Sequence, residues 1–83
     1  MEYVIAIYRS RNVSMRAYNY LQNKGITCAL ISTPRAANVG CGLSVKFAKN
    51  VLREVRGVLS SGETFVGFYL VKITLNGSTL SRI

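Results

Sequence analysis

Residues 27–47 read TCALISTPRAANVGCGLSVKF, and what separates the two apolar runs in this stretch decides the architecture. TCALIS is a β-rich run that stops at Thr33-Pro34, where the proline ring fixes φ and removes a backbone donor. LSVKF alternates apolar and polar residues, as a short half-buried strand does. The intervening TPRAANVGCG carries no helical stripe, so two strands follow one another with only a loop between them. A doubly wound parallel sheet needs a helix at each crossover, and is disfavoured.

Upstream, residues 3–8 (YVIAIY) suit a central strand, interrupted by Arg9-Ser-Arg-Asn12. Asn12 or Ser14 can cap a helix in which Val13, Ala17, Tyr20, Leu21 and Lys24 follow helical spacing. Gly25 ends it in the left-handed position. Downstream, Ala48, Val51, Leu52, Val55, Val58 and Leu59 form one apolar stripe, with Lys49, Asn50, Arg53, Glu54 and Arg56 facing water. Ser60-Ser-Gly62 closes that helix, and a last strand covers residues 64–73. In this strand Phe65 and Tyr69 are expected on one face and Phe68 on the other. Residues 74–83 read as an extra short strand or a flexible tail of a single 1–83 domain. The order is β-α-β-β-α-β, the unit of an α+β ferredoxin-like sandwich, with an antiparallel sheet and both helices on one face.

A chain of 83 residues buries only about 60–65% of its unfolded surface, so association between copies, as a homodimer, would help it. It is 49% apolar, which sets it apart from a disordered basic tail. No histidine and no aspartate is present, and the acids are Glu2, Glu54 and Glu63. General acid–base machinery is therefore nearly missing, and no zinc or iron–sulfur ligand spacing occurs, so no metal or cofactor is expected. No apolar run is long enough to span a membrane. Two cysteines without a paired framework, and no apolar leader, point to a reducing cytoplasm. The net charge of +8 favours anionic partners, nucleic acid among them, without choosing one.

The topology turns the loop into a candidate site. Right-handed crossover puts the exit of strand one, the loop between strands two and three and the turn around Gly62 at one end of the sheet. Cys41 then shares that end with Arg9, Arg11 and Arg35, with the start of helix one, and with Ser10, which like Ser14 could donate to an anion or be a simple cap. Gly40 and Gly42 remove bulk on both sides of the sulfur and free the backbone to wrap an anion. A thiol has a pKa of about 8.5, and nearby positive charge lowers it. The plainer alternative is a small buried cysteine in a tight hairpin. Cys28 falls at the opposite end, where packing is the expected role, and a Cys28–Cys41 bridge is disfavoured by the length of strand between them.

Thr33-Pro34-Arg35, a short spacer, then Gly40-Cys41-Gly42-Leu43-Ser44 resembles the small selenium/sulfur carrier protein-like family. The opening is similar too: an apolar strand, Tyr8-Arg9-Ser10, and a helix carrying Ala17 and Leu21 that ends before Gly25-Ile26. The resemblance covers residues 3–73. It implies that Cys41 carries sulfur or selenium in a persulfide-like form between donor and acceptor proteins, with Arg35, Gly40 and Gly42 shaping its loop. It also implies a carrier rather than a self-sufficient enzyme. The high basic charge and the segment after Ile73 have no counterpart in that pattern. The competing class is a basic nucleic-acid-binding or structural ferredoxin-like module without cysteine chemistry, for which the aromatics at 65, 68 and 69 would be a platform.

Overall fold

The computed structural model describes residues 1–38 and 42–83. Strand β1 (Glu2–Tyr8) leads through helix α1 (Arg11–Asn23) to β2 (Cys28–Ser32). A 3-10 turn at Arg35–Ala37 precedes β3 (Leu43–Phe47), and a second one at Lys49–Val51 runs into helix α2 (Leu52–Leu59). The hairpin of β4 (Phe65–Thr74) and β5 (Gly77–Arg82) completes the fold. The sheet order is β2-β3-β1-β4-β5, antiparallel throughout. Both helices cover one face, which makes this the expected α+β ferredoxin-like arrangement, with β5 added beyond β4.

The unbroken apolar run of β1 is explained by its place between β3 and β4: Val4, Ile5, Ala6 and Ile7 are all 0% exposed. Val4, Ala6 and Tyr8 point to the helices, where they meet Ala17, Leu21, Val55 and Leu59. Ile5 and Ile7 point the other way and pack with Val71, with Tyr3, Tyr69 and Leu80 around them. One central strand thus serves two apolar clusters, because side chains alternate across a strand.

Three local details differ from the sequence expectation. Of the candidate caps of α1, Ser10 takes the place, its Oγ accepting from Val13 N at 3.3 Å, and Asn12 and Ser14 do not. Ser14 lies inside the helix and is fully buried, its Oγ donating to Leu43 O at 3.0 Å. The apolar stripe of α2 is narrower than its spacing suggests. Val55 and Leu59 are buried and Val51 and Leu52 half-buried, whereas Ala48 precedes the helix in extended backbone and Val58 is half exposed.

The third difference comes from a bulge. Ile7 pairs with Gly67 but Tyr8 pairs with Phe65, so Val66 is an extra residue on β4. That insertion inverts the alternation, and Phe65 joins Phe68 on the helix side instead of sharing a face with Tyr69. The two phenylalanine rings are 4.9 Å apart, and Tyr8 meets Phe65 edge-on at 5.6 Å. An aromatic platform built of Phe65, Phe68 and Tyr69 is therefore excluded: two of the three rings belong to the core.

Candidate functional site

The C-terminal end of β1, the N-terminal end of β3 and the turn before β4 meet at one end of the sheet. Ile7 pairs with Ser44, and Arg9 N donates to Thr64 O at 2.7 Å. Ser14 joins α1 to the exit of the β2–β3 loop through Leu43 O. Gly40 and Cys41 lie outside the described residues; what can be described is the frame on either side of them.

That frame is tightly bonded. Thr33 N donates to Gly42 O at 3.0 Å, closing the neck of the loop just where the Ser32–Leu43 pair ends the ladder. Beneath it the Thr33 and Ser44 hydroxyls are 2.6 Å apart, and Ser44 is fully buried. Pro34 starts the 3-10 turn, Ala37 N donates to Pro34 O at 3.1 Å, and Asn38 takes a left-handed conformation at φ 50°. Gly42 has φ 88°, in the region where a β-carbon is disfavoured. Ala37 packs against the Ile5–Ile7 cluster, so the turn holding Arg35 folds towards the helix-free side of the sheet.

Arg9 and Arg11 enter at the start of α1, both exposed, on either side of the Ser10 cap. Among the described residues neither they nor Arg35 form a salt bridge; the ion pairs there both engage Glu2, through Lys49 at 3.3 Å and Lys72 at 3.5 Å. Those two lysines hold the Glu2 carboxyl below its ordinary value. Glu2 begins β1, so this neutralised patch sits at the opposite end of the sheet from the loop. The Ser10 hydroxyl, a candidate anion donor from sequence, is already an acceptor for Val13 N, and its own proton is still available to donate.

Cys28 lies at the far end of the sheet, paired in register with Phe47. Burial raises its thiol pKa, against a smaller lowering by Gln22, whose Nε2 is 3.8 Å from the sulfur. The thiol itself donates to Tyr18 O at 3.7 Å. This is the packing role expected from sequence. Missed there were the Thr33–Ser44 pair and the tether from Ser14. A serine in the middle of an apolar helical stripe was the available signal, since a buried hydroxyl needs a partner. A groove of about 490 Å³ also opens between α1 and α2, floored by Tyr8 and Ala17, with Gly62 and Thr64 at its rim.

Fold and frame together define a ferredoxin-like α+β protein whose β2–β3 loop is pinned at its neck and tied to the first helix. The chain belongs to the family described as "Putative Se/S carrier protein-like", which matches residues 2–67. The match includes the whole β2–β3 segment and ends within β4, leaving β5 beyond it. Family membership supports a general selenium/sulfur-carrier role. No curated protein and no solved structure matches the chain.

Proposed function

We propose that this protein carries sulfur or selenium on Cys41 as a persulfide-like adduct and delivers it to an acceptor protein. Loading is an exchange at sulfur. The Cys41 thiolate attacks the terminal sulfur of a donor persulfide, a new S–S bond forms, the donor's S–S bond breaks, and the donor leaves as thiolate. Discharge repeats the step with an acceptor nucleophile, and Cys41 is the leaving thiolate. Neither step has a net redox change or requires a protein base, in keeping with a chain that has no histidine or aspartate.

The observation that carries this reading is the family match across the TPR and GCG segments. The topology adds to it: among the described residues Arg9 and Arg11 form no ion pair at the start of α1, and positive charge near a thiol would favour its anion. In this reading the glycines at 40 and 42 bring no side chain next to the sulfur in sequence, and Arg35 and Ser10 are the further anion-stabilising groups. The other cysteine, Cys28, is held as a hydrogen-bonded thiol at the far end of the sheet. The same reading places the exchange between a donor and an acceptor in the cytoplasm, where cysteines without a disulfide framework stay as thiols.

Intact-mass analysis after incubation with a persulfide donor tests the proposal. The expected result is one added sulfur, retained in Cys28→Ser and absent from Cys41→Ser; an adduct mapping to Cys28, or none at all, rejects it. Reversing Arg9 and Arg11 to glutamate should slow loading at pH 7 by roughly 3- to 10-fold, which corresponds to half to one unit of thiol pKa.

A further inference from the structure

The helix-free face of the sheet is a second surface, distinct in chemistry from the cysteine loop. Register places Tyr3 and Ile5 of β1, Lys46 of β3, Gly67 and Tyr69 of β4 and Arg82 of β5 on it. Among the described residues no helix covers this side, yet Ile5 and Ile7 are fully buried there, packed with Tyr3, Tyr69, Val71 and Leu80. Tyr3 and Tyr69 are diagonal neighbours across the β1–β4 ladder, a separation of about 7–8 Å. The Lys46 ammonium lies 4.4 Å from the centre of the Tyr3 ring. Arg82 reaches back over Gly67, donating from its guanidinium to Val66 O at 3.0 Å. A β-carbon at Gly67 would stand 3.1 Å from Arg82 Nε, so a side chain there would make the guanidinium shift by a few tenths of an ångström.

Every carboxylate side chain is elsewhere. Glu2 is directed to Lys49 and Lys72, Glu54 is on α2, and Glu63 is in the turn before β4. The face therefore offers two half-buried phenol rings, two cations and no side-chain anion. We propose that it binds single-stranded nucleic acid, with a base stacking on Tyr69 and phosphates held by Lys46 and Arg82. Stacking on rings and pairing of phosphates with flanking cations are the two elements of sequence-tolerant single-strand binding. A duplex hides its base faces and leaves the rings without a use. A second copy seated on the same face by two-fold symmetry would bring cations against a surface with no carboxylate to receive them. Cys41 takes no part in this binding.

The test uses the full chain and a labelled mixed-sequence 12-nucleotide single strand, followed by fluorescence anisotropy in low salt. Two phosphate contacts give a slope of about −1.4 in log affinity against log salt. Tyr69→Ala is expected to weaken binding roughly 5- to 100-fold, while Tyr69→Phe, which keeps the ring, restores it. Lys46→Glu with Arg82→Glu should abolish binding, whereas Lys49→Glu with Arg53→Glu on the helix side, and Cys41→Ser, should leave it within about 2-fold of the parent. Far-UV circular dichroism checks that each variant is folded. The proposal falls if the parent chain does not bind, or if the helix-side pair costs as much as the sheet-side pair. It also falls if Tyr69→Ala is folded and binds normally. A dimer that dissociates in Tyr69→Ala, with no oligonucleotide bound, would assign the face to a second copy instead.

Discussion

At the scale of single residues, the character of Cys28 is set by what surrounds it. Cys28 gives its proton to Tyr18 O and is partly withdrawn from water, which pushes its pKa up. In Cys41→Ser the remaining thiol should therefore alkylate slowly, with a midpoint above the ordinary cysteine range; a midpoint at or below about 8.5 would contradict this. Tyr8 makes a second residue-scale case. Its hydroxyl donates to Leu59 O at 2.7 Å, and burial pushes its pKa up to about 12. The unfolded chain loses this proton near pH 10 while the folded one keeps it, so stability is full below pH 10 and falls as pH rises towards 12. Tyr8→Phe should flatten that alkaline decline and lower stability at neutral pH by about 1 kcal/mol, read from urea melts. That Tyr8 would be buried was legible from its place in an apolar run; its partner was not, because Leu59 is 51 residues away in the chain.

At the scale of elements, the clearest lesson is in how helices begin and end. The end of α1 closes as its sequence demands. Gly25 takes φ 75°, its N–H donates to Gln22 O at 3.0 Å, and Ile26 N donates to Leu21 O at 2.9 Å. This paired pattern is the Schellman motif, and Leu21 and Ile26 supply its apolar contact within the core cluster. A β-carbon at Gly25 would meet nothing within 4 Å, so Gly25→Ala isolates the backbone cost. It should destabilise by about 1–2 kcal/mol, a fall in Tm of roughly 4–16 °C for a domain this size; an unchanged Tm would refute the assignment. The start of α1 was harder to read. Ser10, Asn12 and Ser14 all have capping chemistry, and what excludes Ser14 is its burial against Leu43 of β3. Local preference proposes several caps, and a distant strand selects one.

At the scale of the whole molecule, β5 lies beyond the family-matched region and adds an edge strand to the sheet. Its Leu80 covers Val71, and Ile83 N donates to Phe68 O at 3.0 Å. A chain shortened to residues 1–74 should keep the helix-side core and its circular dichroism but expose the β4 edge. Sedimentation should then show self-association with Tm lowered; a truncated chain that stays monomeric at unchanged Tm would show that β5 protects nothing. The order of elements and the shared end of the sheet were legible because apolar spacing and loop length are local properties of the chain. The family was legible too, since TPR and GCG stand within a few residues of each other. Which face each β4 aromatic occupies was not legible, because one extra residue at Val66 inverts the alternation and only pairing with β1 reveals it. The acid-free face of Tyr3, Lys46, Tyr69 and Arg82 is likewise a product of register among four strands. Sequence determined which segments fold and how they connect, through short-range periodicity. Tertiary structure alone decided which side chains share a surface, since that depends on pairings between residues far apart in the chain.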